Sequence, residues 1–203
     1  MARTARKEFA DADADLKKAL ELAPQSSAPY SRMGALRAAQ RRFPEAEKYY
    51  EQALDRDPNV VESLQGLLAV YAGERQLAKA IPRVLAQTRK SPENSEYQVI
   101  LGGLYLGSKQ LDKAEGAFEK AVELNPHNLD AYYLLAQAQK GRGAKEEALA
   151  TYERALKAAP ASARTHVLLG ALESERGNWQ RAEELYRKAI QLNPDNPLAV
   201  NNL

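Results

Sequence analysis

An all-α stack of helical hairpins is the fold class this sequence predicts, and two observations predict it. Prolines recur at Pro24, Pro58, Pro92, Pro126, Pro160 and Pro194, each step 34 residues and none interrupted by an insertion. A fixed period of this size marks stacked repeats, each too small to bury its apolar face alone. Alanines keep the same register twelve residues before each proline, at Ala12, Ala46, Ala80, Ala114, Ala148 and Ala182. Small residues also recur near the start of the units, at Gly34, Gly102, Ala136 and Gly170, with Leu68 the exception. Bulky ones recur eight before the proline, at Leu16, Tyr50, Val84, Phe118, Tyr152 and Tyr186. Small against large at fixed offsets lets two helices interlock without voids.

Five whole units fit: 27–60, 61–94, 95–128, 129–162 and 163–196. Residues 1–26 supply a second helix without its first, and 197–203 the start of a first helix. The 203 residues therefore read as a single array with no interior domain boundary, cut from a longer protein.

In residues 9–23, Phe9, Ala12, Leu16, Ala19 and Leu20 share one face at helical spacing. Unit 27–60 opens with Ser27 as N-cap and Pro29 in the first turn, and its second helix begins near Phe43-Pro44. Arg37, Arg41 and Arg42 gather at its turn, read either as a contact for an acidic partner or, preferably, as a solvated helix end. Unit 61–94 is irregular: Leu68 replaces the small residue, Gln87 replaces an alanine, and Pro82 falls inside the second helix. An interior proline removes an amide donor, so a kink or a late helix start is expected there. Unit 95–128 is the most regular, with Asn94-Ser95 at its N-cap. In 129–162, Lys145 stands where other units carry Phe43, Leu77, Leu111 and Trp179, its stem covering the gap and its amine in water. In 163–196, Trp179 is expected to pack between helices, and Leu203 falls where the next unit needs a core leucine.

Residues 95–128 carry Leu101, Gly102, Tyr105, Ala114, Phe118, Ala121 and Pro126 at the places that define a known motif. The sequence resembles the tetratricopeptide repeat (TPR) family, a helix–turn–helix unit of 34 residues, over nearly its whole length. The resemblance implies a right-handed superhelical solenoid of antiparallel helix pairs. First helices would line a concave groove, with unit positions 2, 5, 9, 12 and 13 facing it. Carried over residue by residue, the groove would hold Glu62 and Gln65; Glu96, Val99 and Leu106; Asp130, Tyr133 and Gln137; and Arg164 and Val167. Lys140 and Glu175 fall on the same places. Glu62, Glu96 and Asp130 would stand along one rim, either as an acidic strip for a basic or polar peptide or as acids complementing helix N-termini. Relatives that grip the carboxylate tails of chaperones use lysine, arginine and asparagine at positions 5 and 9. Here those places hold pairs such as Ser31 and Ala35, or Val99 and Gly103, so that docking mode is not expected.

Chemistry is sparse. The two histidines read as a turn residue, His127, and a packing residue, His166. No metalloprotease, thiol, nucleophile-elbow or phosphate-loop motif is present, so no enzyme, cofactor or metal site is expected. The chain has no cysteine, which excludes disulfides and thiolate metal sites. Its 29 basic and 27 acidic residues lack the basic excess of a nucleic-acid binder. No apolar run is long enough to span a membrane. The expected function is a non-catalytic scaffold holding a peptide or helix of a protein partner. The alternatives are a substrate-positioning module of a larger enzyme or secretion or assembly machine, and weak self-association through the open repeat ends.

Overall fold

The computed structural model describes residues 2–194 and 197–201. Every described regular element is helical. The chain divides into two compact units, Met1–Tyr97 and Gln98–Leu203.

The first unit contains α1 (Ala2–Leu22), α2 (Ser27–Ala39), α3 (Phe43–Arg56), α4 (Val61–Gly73), a 3-10 turn at Leu77–Lys79, and α5 (Ala80–Lys90). The unit boundary falls within α6 (Ser95–Gly107). The second unit continues with α7 (Leu111–Leu124), α8 (Leu129–Gly141), α9 (Lys145–Ala158), α10 (Ala163–Glu175), α11 (Trp179–Leu192) and α12 (Pro197–Asn201). First helices therefore start at residues 27, 61, 95, 129 and 163, the expected unit boundaries. Leu203 lies outside the described residues.

Two turn types, each repeated, build this register. Between repeats, the ladder prolines sit second in four-residue turns. The amides of Ser26, Val60, Asn94, Asn128 and Ser162 donate back to the carbonyls of Ala23, Asp57, Ser91, Asn125 and Ala159. Proline suits that place because its fixed φ matches it and its missing amide is not needed. Within repeats, each first helix ends in a residue of positive φ: Arg41 (59°), Arg75 (60°), Lys109 (57°), Gly143 (82°) and Gly177 (82°). The next amide then reaches back over the helix end, as from Arg42 to the Arg37 carbonyl (2.9 Å) and from Ala144 to that of Gln139 (2.9 Å). This is the Schellman closure, which satisfies otherwise orphaned carbonyls and favours glycine. Three of the five turns hold a side chain in a left-handed backbone at a cost. Arg75→Gly and Lys109→Gly are each expected to raise stability by about 0.5–1 kcal/mol, read as a higher denaturation midpoint with an unchanged slope.

The small–large register becomes direct packing. A Cβ placed on Gly102 would lie 2.5 Å from the Phe118 ring, and one on Gly170 would lie 2.9 Å from the Tyr186 ring. In the second unit, Phe118, Val122, Ala131, Tyr132 and Leu135 form one core cluster, Tyr133, Tyr152, Leu169 and Leu172 another, and Val167, Ala182 and Tyr186 a third. Opposite charges 32 to 35 residues apart in sequence, about one period, join successive repeats. They include Arg83 with Glu51, Arg154 with Glu119, Lys140 with Glu175 and Arg164 with Asp130.

The irregular repeat 61–94 starts its second helix late, after the 3-10 turn, which puts Pro82 in the first helical turn where its missing amide costs little. Buried Gln87 closes a polar knot: its amide donates to the Pro58 carbonyl (2.5 Å) and its oxygen accepts from Arg83 (2.8 Å). The Tyr97 hydroxyl donates to the same carbonyl (2.6 Å). Burial pushes the Tyr97 phenol up to about 12, so it stays a donor through the physiological range.

Four expectations are corrected. The cap of α2 is Ser26, one residue earlier than Ser27, and its side chain makes no capping bond. Helix α1 begins at Ala2, well before residue 9. Trp179 is not packed between helices but is 70% exposed. At the same place in their repeats, Phe43 and Leu111 lie against Gly73 and Gly141, at the end of the following first helix. Among the described residues no such helix end covers Trp179. Arg37 does not belong to a solvated cluster: its side chain is only 6% exposed and pairs with Asp13 on α1. Lys145 is half-exposed, with its amine 3.5 Å from Glu175.

Candidate binding face on the first helices

The residues the sequence placed on the first helices separate by burial. In the first unit, Glu62 and Gln65 on α4 and Glu96 on α6 are exposed. In the second, Asp130, Gln137 and Arg164 are exposed, whereas Val99 and Leu106 are partly buried against the Phe118 cluster. Val167 (6% exposed) packs with Ala182 and Tyr186, and so serves the core before any ligand. Tyr133 is 8% exposed and shares a cluster with Tyr152 and Leu169.

Around Tyr133 these residues converge. Its hydroxyl shares hydrogen bonds with Thr165 Oγ1 (2.8 Å) and Ser162 Oγ (3.1 Å). Ser162 in turn caps α10 by accepting from the Thr165 amide (3.2 Å), so the ring is fixed by a helix start. The Arg164 guanidinium lies over that ring, 4.3 Å from its centroid, a favourable cation–π distance. Arg164 also pairs with Asp130 at 3.1 Å.

Beside the ring is a hollow of about 270 Å³ lined by Tyr133, Gln137, Lys140, Tyr152, Arg164 and Leu168. A second, of about 520 Å³, shares Tyr133 and Arg164 and has His127, Asn128, Leu129, Asp130 and Ser162 on its remaining walls. Lys140 donates to Glu175 (2.9 Å), and that bond holds the Glu175 carboxyl below the usual range. Sequence reasoning missed Tyr152 and Leu168. Tyr152 comes from a second helix, outside the positions considered, and its only signal was its place in the bulky series. Leu168 stands at position 6, one beyond Val167. His166, as expected, is a packing residue, with Nδ1 2.9 Å from the Ser162 carbonyl. Among the described residues no cluster of histidine, aspartate and glutamate side chains could hold a metal ion, and no helix is long and apolar enough to cross a membrane.

Helical hairpins of one length, closed by the same two turns in one register, define a helical-repeat protein. Comparison with family models agrees: one tetratricopeptide repeat model matches residues 3–71 and 105–172, a second matches 63–128, and a third matches 163–196. The chain belongs to the tetratricopeptide repeat family. No match is found among curated proteins. Among solved structures the chain is similar to YrrB, described as a TPR protein with an unusual peptide-binding site, at 24% identity and a TM-score of 0.63, covering 92% of this chain and 96% of that one. It is similar to MamA at 25% identity and a TM-score of 0.63, covering 79% and 94%. It is also similar to Pseudomonas aeruginosa pilF at 20% identity and a TM-score of 0.63, covering 98% and 91%.

Proposed function

We propose that this chain is a non-catalytic scaffold for protein–protein interaction, holding a peptide or helix of a partner on the groove formed by its first helices. The observation that carries this reading is the hollow beside Tyr133. It has a rigid aromatic floor and exposed polar groups, Gln137 and Arg164, at its edge. A fixed ring with a polar rim suits an inserted side chain, since little freedom is lost on binding. The peptide-binding site named for YrrB, a protein of the same fold, supports the reading by analogy.

Tyr133→Ala is a poor test, because the ring belongs to the core and its loss would perturb folding. Gln137→Trp fills the hollow from an exposed position instead. Twelve-residue peptides selected from a random display library on the intact chain are expected to bind Gln137→Trp at least about tenfold more weakly, a difference of about 1.4 kcal/mol. Equal binding to both proteins would refute the groove.

A further inference from the structure

The charges on the hollow are all of one sign. Of its six lining residues, two are cationic, Lys140 and Arg164, and none is a carboxylate. Their acidic neighbours, Glu175 and Asp130, are not among the lining residues. The floor is apolar, made of Tyr133, Tyr152 and Leu168. The Arg164–Asp130 pair is loose, with side chains 66% and 74% exposed, and exposed pairs of this kind contribute little. The guanidinium can therefore leave Asp130 for an incoming carboxylate at small cost while keeping its place over the Tyr133 ring. Lys140 approaches from the other first helix, and an ammonium with three donors can hold Glu175 and a second acceptor together. A volume of about 270 Å³ accommodates one large aliphatic or aromatic side chain, not a folded element.

We propose, resting on the groove reading above, that the hollow takes one apolar side chain of an acidic peptide segment, with the residues beside it supplying carboxylates to Arg164 and Lys140. The partner is thus an acidic segment with an apolar anchor. This reverses the basic or polar peptide that the expected strip of Glu62, Glu96 and Asp130 would select. The cations do not reproduce the clamp for a chain end, because they stand at unit positions 12 and 2 and not at positions 5 and 9.

Fluorescein-labelled peptides, acetylated and amidated so that they carry no terminal charge, test this directly by fluorescence anisotropy in dilute salt. One holds Asp-Leu-Asp at its centre, a second Lys-Leu-Lys, a third Gln-Leu-Gln and a fourth Asp-Ser-Asp. The first is expected to bind at least about tenfold tighter than the second and fourth. Its preference over the neutral peptide should vanish in Lys140→Gln with Arg164→Gln, two exposed or half-exposed sites whose substitution leaves the cores intact. Amide shifts at Gln137 and Leu168 should accompany binding. Equal or tighter binding of the basic peptide, or an acidic preference that survives both substitutions, would overturn the proposal. A gain of affinity only when the terminal carboxylate is left free would also overturn it, pointing to a chain-end site. No binding by any of the four overturns it too, while the display selection and Gln137→Trp still decide the groove reading on their own.

Discussion

Phe118→Ala is expected to cost about 3–5 kcal/mol, the range for deleting a fully buried aromatic side chain. The ring is fully buried and packs in the cluster with Val122, Ala131 and Leu135. It also lies directly on Gly102, which has no side chain to fill the space on that face. The loss should be read as a lower urea midpoint together with lost hydrogen-exchange protection in α7 and α8, because a repeat array does not have to unfold all at once. Repeat 61–94 supplies a sharper version. There Leu68 and Val84 occupy the two places that Gly102 and Phe118 occupy in repeat 95–128. Gly102→Leu alone should destabilise by overpacking against Phe118, and Phe118→Val alone by leaving a cavity. Together they should cost less than their sum, with a coupling of about 1 kcal/mol or more in a double-mutant cycle. Additive losses would show that the two places do not trade volume.

Asp13→Ala is expected to cost about 1–3 kcal/mol, less than the 3–5 kcal/mol for breaking a fully buried pair. The substitution strands the Arg37 guanidinium, whose side chain is almost wholly inaccessible to solvent. Glu45, 3.4 Å from Arg37 Nε, and Gln40, 3.1 Å from Nη1, soften the loss. Arg37→Met, which removes the buried charge and keeps the stem, should cost little or nothing by the same logic. The pair also fixes a pH dependence. The Lys17 ammonium, followed by Arg37, holds the Asp13 carboxyl below its ordinary value against the opposing effect of burial. A carboxyl lowered in the folded state contributes stability that is complete above its unfolded value, about 3.9. That contribution falls away as pH drops through the lowered folded value. Wild-type protein should therefore lose stability relative to Asp13→Asn only in strongly acidic solution, as measured by thermal melts across pH. A difference that shrank around neutrality instead would refute this assignment.

The period and the helix boundaries could be read from sequence because they are local. Each proline turn, each alanine twelve residues earlier and each ring eight earlier acts within one hairpin, so spacing alone locates them. The partners that set burial at the repeat junctions are not local. Arg37 looked solvated because its three-arginine run is visible in sequence, whereas Asp13, 24 residues upstream, is not visibly its counterion. Trp179 looked like a core residue because it is a large aromatic, but the place is not uniformly buried: Phe43 and Leu111 lie against Gly73 and Gly141, whereas Leu77 is exposed like Trp179. Of the family positions, Tyr133, Gln137, Lys140 and Arg164 line one hollow. Arg164 stands 34 residues after Asp130 and neutralises it, a pairing invisible to any reading of one repeat at a time. The left-handed residues Arg41, Arg75 and Lys109 left no compositional trace, since nothing in an arginine or lysine announces a positive φ.

The one-period spacing of the ion pairs has a consequence for how such a chain can change by recombination. Arg142, which meets Asp112 and Glu115, is followed one period later by Arg176, and Arg154, which meets Glu119, is followed by Lys188. Excision of residues 129–162 would thus bring a cation of the next hairpin opposite each of those acids. Loss of that whole hairpin preserves the matching of opposite charges at those acids, whereas an insertion of a few residues inside it breaks the matching. The uninterrupted period is what a lineage that grows and shrinks by entire modules would retain.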